Sequence, residues 1–427
     1  MTADTILYAP HIRKGTTVPN DSNEATVRFS MKTLTVGVAV ASLFALGGCA
    51  TSGTAGSSES GDTVKIMVFG SFTQPPYPLI QIKQAAEAAV QAVNKDGGVA
   101  GKQIELIDCD DQGSANGASA CGRKAVSEKV TAVVGAFTLF GDAIVSVLAT
   151  ENIPYILPTA ISEQEVTSDV SFPVFSSAGP FSAAIVQLGS QGCDTVVQVV
   201  SQNATAQDSY DNYFNPTAKA IGVNLVPVFF PPTTTDFSGV ASQIAAAGSC
   251  ALYGTGPQET VAILTALNQT GAKIKNAIAS TLDLPESTLP QLGALGDDVQ
   301  VVSVFNFPST QNPAVTEAVD AMTAYDSSMV IDESALNSYA SVLTFARAAE
   351  LIDGDITGPA ITEVLNSPDT TIDTGIFAPT NFSKDAGWFP PAPRVADSVY
   401  QPYISKDGQY VPNGDPIDLG DKLSSLG

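Results

Sequence analysis

The stretch at residues 64–111, VKIMVFGSFTQPPYPLIQIKQAAEAAVQAVNKDGGVAGKQIELIDCDD, limits the possible folds more than any other part of the chain. Residues 64–69 form a short β-rich apolar run that stops at Gly70. Ile82, Ala85, Ala86, Ala89, Val90 and Val93 then recur at the spacing of one helix face, and Asn94-Lys95-Asp96-Gly97-Gly98 breaks the pattern. Residues 103–108 are β-rich again. Strand, helix and strand in that order make the unit of a parallel sheet with a right-handed crossover.

The same rhythm continues. Helices are predicted over 115–129 and 139–150, and strands over 131–136, 154–157 and 174–176. A second series starts at Pro180, with helices over 181–191, 209–221, 237–247 and 258–270. Its strands are predicted over 195–200, 223–230, 250–253, 276–279 and 299–305. Helices over 312–327 and 333–353 follow, and the proline-rich end after Phe377 suits strands and loops. Two α/β series in 427 residues imply two doubly wound parallel-sheet lobes, the second beginning near residue 180. In open α/β sheets the ligand sits off the carboxyl ends of the strands, so two facing lobes make a cleft.

Charge and the amino-terminal segment set the compartment. Nineteen basic residues against 43 acidic ones give −24, a field that repels nucleic acid and anionic lipid. Residues 31–49, MKTLTVGVAVASLFALGGC, place Lys32 before an apolar run too short for a comfortable membrane span. The run ends in Leu46-Gly47-Gly48-Cys49, which resembles the lipobox of bacterial lipoproteins, where cleavage precedes the cysteine and the cysteine carries the lipid. Residues 1–48 are therefore expected to be leader and signal peptide, with Met31 the natural start. Residues 49–62 are expected to be a lipid-anchored Ser/Gly tether. The protein is expected outside the cytoplasm, anchored to the bacterial cell membrane.

That compartment is oxidising, and four cysteines remain in it: Cys109, Cys121, Cys193 and Cys250. Cys109 ends a strand and Cys121 lies twelve residues on, inside the next helix. Cys193 and Cys250 each precede a β-rich run, and neighbouring parallel strands start side by side. The expected pairs are Cys109–Cys121 and Cys193–Cys250.

The only histidine, His11, lies in the leader, which removes histidine bases, triads and zinc ligands from the mature chain. Gly97-Gly98-Val99-Ala100-Gly101-Lys102-Gln103 has the wrong spacing for a phosphate loop and follows a helix, so it reads as a turn. The acids at 108–111 read as solvated or helix-capping. No enzyme activity, metal or cofactor is expected.

VKIMVFGSFT, AVNKDGGVAGKQIELIDCDDQ, KVTAVVGA and NIPYILPTAIS resemble successive landmarks of the type I periplasmic solute-binding proteins, in the branch of leucine/isoleucine/valine-binding proteins of ABC transporters. YGTGPQE at 253–259 and DTGIFAPTNFS near the carboxyl end extend the likeness over most of 63–380. The resemblance implies three crossings between lobes, near 178–180, 306–308 and 374–377. One lobe would hold 63–179 and 308–375, the other 180–307 and 376–427. It also implies a function: binding a small amino acid or related carboxylate in the cleft, closing about a hinge, and docking on permease and ATPase subunits. The alternatives are a ligand sensor working with a separate signalling partner, or a binder of a ligand such as an aromatic acid.

Carried over position by position, the ligand contacts are Tyr77 after strand one, Thr138 after the third strand, and Thr159 and Ala160 after the fourth. Ser162, beside them, is a further donor. Hydroxyls and N–H groups at such loop and helix starts hold a carboxylate without Arg or Lys. In the second lobe the positions are Gln207, Ser209 or Tyr210 in one loop, with Gly256 and Asp283. Asp283 stands for the acidic grip on an ammonium, displaced by a residue or two, and Gly256 stands where an aromatic is expected. Both departures weigh against an aliphatic amino acid.

Overall fold

The computed structural model describes residues 63–74, 78–202, 204–387 and 392–423. Cys49, the leader, the tether and Tyr77 lie outside the described residues.

The first sheet contains β1 (Thr63–Gly70), β2 (Gln103–Asp110), β3 (Ala132–Ala136), β4 (Tyr155–Pro158) and β5 (Ser171–Phe172). All pair in parallel, in the order β2-β1-β3-β4-β5. Ile66, Met67, Val68 and Phe69 of β1 are fully buried, as a central strand covered on both faces requires. The connecting helices are α1 (Ile80–Lys95), α2 (Ala115–Glu128), α3 (Gly141–Thr150) and α4 (Glu163–Thr167). Helix α1 lays Ile82, Ala85, Ala86, Ala89 and Val90 on the sheet. It ends at a turn that only glycine fits: Gly98 has φ +76°, and a Cβ there would stand 2.0 Å from the Lys102 carbonyl oxygen. Val99 and Lys102 exchange hydrogen bonds of 2.8 and 2.9 Å to close that turn. It sits at the start of β2, the end of the sheet opposite the carboxyl termini of the strands.

The second sheet contains β6 (Thr195–Ser201), β7 (Asn224–Phe230), β8 (Cys250–Gly254), β9 (Lys275–Ile278), β10 (Gln300–Ser303), β11 (Val399–Lys406) and β12 (Gln409–Pro412), with β13 (Ile417–Asp418) paired to β11. Its order is β12-β11-β10-β9-β8-β6-β7. Strands β6 to β10 are parallel, and β11 runs antiparallel to β10. Its helices are α5 (Ala178–Ser190), α6 (Ala204–Ser209), α7 (Asn215–Ala220), α8 (Ser238–Ala247), α9 (Pro257–Thr270) and α10 (Leu289–Leu292).

The chain then returns to the first sheet with α11 (Pro313–Tyr325), α12 (Glu333–Glu350) and α13 (Gly358–Leu365), and α14 (Leu419–Leu423) follows β13. The Gln84 amide donates to Asp326 at 2.8 Å, the Ser338 hydroxyl to the Ile82 carbonyl at 2.7 Å, and the Asn337 amide to the Leu157 carbonyl at 2.9 Å. Both expected disulfides are present. Cys109 meets Cys121 with Cα atoms 5.7 Å apart, and Cys193 meets Cys250 at 6.1 Å, at the paired starts of β6 and β8.

Three details differ from the sequence expectations. The strand expected at 174–176 lies earlier, as β5, with a single bridge between Ala160 and Ser176. Pro173 has no N–H to extend the ladder beyond Phe172. The helix expected over 209–221 is divided by a π turn at Tyr210–Phe214, in which the Asn215 N–H bonds the Tyr210 carbonyl. Pro216, which lacks an N–H, forces that break. Finally, the chain after 376 does not stay wholly with the second sheet. The Phe382 ring meets the Phe172 ring edge-on at 6.1 Å, and Arg394 Nε donates to the Ser171 carbonyl at 3.0 Å. This stretch covers the exposed edge of β5, which would otherwise present unpaired backbone groups.

Where the chain passes between sheets, three rings meet. Phe175 and Phe305 lie 5.6 Å apart and Phe305 and Phe377 6.3 Å apart, both nearly perpendicular. The Asn306 N–H bonds the Ile376 carbonyl at 2.8 Å beside them.

Candidate functional site

Loops at the carboxyl ends of strands from both sheets enclose a cavity of about 600 Å³. Phe137 and Leu139 follow β3, and Thr159, Ala160 and Ile161 follow β4. Phe175 to Phe181 forms the wall where the chain crosses. Opposite stand Gln198 and Val200 of β6, Tyr213 and Phe214 of the π turn, and Ser280, Leu282 and Asp283 after β9. Glu333 and Ser334, at the start of α12, complete it. Among the described residues that line it there is no Lys, Arg or His.

The first-sheet loops are held by buried acids. Asp111, fully buried, accepts the hydroxyls of Ser71 at 2.9 Å and Thr138 at 2.6 Å and the Gly113 N–H at 2.8 Å, joining the loops after β1, β2 and β3. Glu165 accepts the N–H groups of Ile161 at 3.0 Å and Ser162 at 2.9 Å and the Ser162 hydroxyl at 3.0 Å. Burial pushes the Glu165 carboxyl up to about 7, against the lowering effect of those donors.

The second-sheet side is tied to α12. Glu333 accepts the Ser280 hydroxyl at 2.6 Å, the Thr281 N–H at 2.8 Å and the Ser303 hydroxyl. Asp283 accepts the Ser280 N–H at 3.1 Å. Burial raises both carboxyls above their ordinary range. Asp283 is raised further by the charge of Glu333.

Of the residues picked out from the sequence, Thr159, Ala160, Ser209 and Asp283 line the cavity. Thr138 does not, because its hydroxyl is turned to Asp111. Gln207 and Tyr210 lie on the outer face of their helix, with Gln207 bonded to Asp211 at 2.9 Å and the Tyr210 hydroxyl to the Leu225 carbonyl at 3.1 Å. Ala206, Ser209 and Tyr213, at helical spacing, present the inner face instead. Gly256 is the N-cap of α9, away from the cavity. The sequence reading missed Gln198, Phe181, Phe214 and Glu333. A glutamine inside the valine run TVVQVVS was the one available signal.

Among the described residues no helix is long and apolar enough to cross a membrane, and no group of three metal-ligating side chains assembles. No curated protein matches the sequence. Solved structures share the fold. The branched-chain amino acid transporter substrate-binding protein LivJ of Streptococcus pneumoniae, in complex with isoleucine, superposes with a TM-score of 0.66 at 17% identity, covering 83% of this chain and 100% of that one. A fatty acid ABC transporter substrate-binding protein from Thermomonospora curvata gives 0.70 at 17% identity over 84% and 92%. A solute-binding protein of an ABC transporter from R. palustris, in complex with benzoate, gives 0.68 at 15% identity over 84% and 99%. The periplasmic binding protein family itself matches residues 64–390. The chain belongs to that family, with the type I fold of its leucine/isoleucine/valine-type members, and is a solute-binding protein rather than an enzyme.

Proposed function

We propose that this chain is the extracytoplasmic receptor of an ABC importer, held to the membrane by lipid on Cys49, and that its two lobes close on a small solute with a largely apolar body. The observation that carries this reading is the aromatic-lined cavity at the carboxyl ends of both sheets, bridged by Glu333. The lobes are taken as 63–179 with 308–375, and 180–307 with 376–427, less the stretch that returns to the β5 edge. Solute contacts to both lobes bias the closed form by their differential affinity, and the closed form docks on the permease.

An amino acid would set its ammonium beside Asp283, where a cation favours the ionised carboxyl. Its carboxylate would fall to other donors of the lining, such as the Thr159 and Ser176 hydroxyls. The Thr138 and Ser162 hydroxyls and the N–H groups of Ile161 and Ser162 already serve Asp111 and Glu165. With aromatic walls and no cation among the described lining residues, the cavity favours an apolar-bodied solute over an amino acid or other carboxylate.

A thermal-shift screen over amino acids, aromatic acids, amines and amides tests the reading. One class should stabilise the protein, by about 2.7 kcal/mol when ligand stands at 100 times its Kd. The same ligand should contract the protein in small-angle scattering. Cys49→Ala should release the protein from membranes, and retention of that variant would remove the anchor.

A further inference from the structure

Part of the polar lining of the cavity is already paired within the protein. Glu333 is filled by Ser280, Thr281 and Ser303, and Ser334 gives its hydroxyl to Asp332 at 2.6 Å. Two lining side chains are both buried and without a partner. Gln198 is 0% exposed and Ser176 7% exposed, both line the cavity, and neither the Gln198 amide oxygen, its nitrogen, nor the Ser176 hydroxyl has a hydrogen-bond partner. A buried amide with both ends unpaired is costly, and buried polar atoms in folded proteins nearly always find partners. Here the amide stands inside a strand otherwise built of valine, on the face it shares with Val196 and Val200.

A glutamine amide offers an acceptor and a donor side by side in one plane. The partner that satisfies both at once presents a donor and an acceptor side by side, as a carboxamide or lactam does. A carboxylate offers only acceptors and an ammonium only donors, so each leaves half of Gln198 unpaired. A carboxylate would also meet Asp283 and Glu333 with no cation on the described lining. Phe137, Phe175, Phe181, Tyr213 and Phe214 provide the apolar surround.

We propose that the cavity selects an uncharged solute, an apolar-bodied carboxamide or lactam whose amide pairs with Gln198 and Ser176. The proposal rests on the solute-binding reading above and assigns the chemistry of its ligand.

Three compounds of one shape and different charge test it by calorimetry on the disulfide-bonded protein at neutral pH: 4-phenylbutanamide, 4-phenylbutanoate and 4-phenylbutylamine. The amide should bind, and the two ions should bind at least about tenfold more weakly, a gap of about 1.4 kcal/mol. Gln198→Met keeps the length and removes the amide. It should weaken amide binding by about tenfold or more while the melting temperature holds or rises, because an unpaired buried group is gone. Equal or tighter binding of the acid or the amine overturns the proposal, as does a Gln198→Met variant that binds the amide unchanged. If none of the three binds, the proposal falls. The solute-binding reading then survives only if native mass spectrometry of the protein from its host shows another small solute bound.

Discussion

The Glu333 carboxylate, carried by a helix that packs on the first sheet, accepts the Ser280 hydroxyl at 2.6 Å from the loop after β9 of the second sheet. Thr281 and Ser303 of the same side bond it as well, and the Glu333 N–H returns a bond to the Thr281 hydroxyl at 3.0 Å. One acidic side chain therefore joins both halves of the molecule at the wall of the cavity.

Glu333→Ala strands three donors at once. Urea unfolding should show a loss of about 3 kcal/mol, and the ligand-free protein should expand in small-angle scattering. Glu333→Gln keeps an acceptor and should lose about 1 kcal/mol. An alanine variant with unchanged stability and dimensions would show that the bridge holds nothing.

Glu165 sets a pH dependence of definite sign. Burial lifts its carboxyl from 4.5 to about 7, so between those values the folded protein holds a proton that the unfolded chain has lost. Its contribution to stability is full below about pH 4.5, falls as pH rises to about 7, and is flat above, a swing of about 3 kcal/mol at most. Asp283 and Glu333 are raised too and tilt stability in the same direction, so the test is a difference. Wild type minus Glu165→Gln, measured by denaturant unfolding from pH 5 to 8, should narrow or reverse in favour of the glutamine as pH rises. Parallel curves would refute the assignment.

The Gly97-Gly98 turn separates two costs. Gly98→Ala meets both a positive φ and the Lys102 carbonyl oxygen and should lose about 2 kcal/mol or more. Gly97→Ala, with φ +108° and nothing within 4 Å, should lose about 1 kcal/mol from backbone strain alone. Calorimetric melting of the two variants side by side would expose equal losses if the close approach were unimportant.

Replacing Cys193 and Cys250 together by alanine opens a loop of 57 residues and should lower stability by about 3–4 kcal/mol. The bridge joins strand starts, far from the carboxyl ends that form the cavity, so solute affinity in the folded variant should be unchanged. A large loss of affinity would mean that the base of the sheet communicates with the cleft.

The layered fold was legible because each strand of the two series is an apolar run bounded by turn residues, and each helix shows its buried face at regular spacing. The disulfides were legible for the same reason, since neighbouring parallel strands bring their first residues together. The cavity was much less so. Glu333 reads in sequence as one more acid at a helix start, and only the three-dimensional return of α12 brings it to Ser280 and Ser303. Thr138 reads as a free hydroxyl until Asp111, 27 residues earlier, claims it. Gln207 and Tyr210 read as facing the cavity because the helix is expected to begin only at 209; it begins at Ala204, which turns Ala206, Ser209 and Tyr213 inward instead.

Phe175, Phe305 and Phe377 come from three separate passages of the chain between the sheets, yet their rings share one cluster. None of the passages can bend alone without moving a ring lodged against the others. In the closure proposed above, the three covalent links would therefore turn together, as one axle, rather than bend one by one.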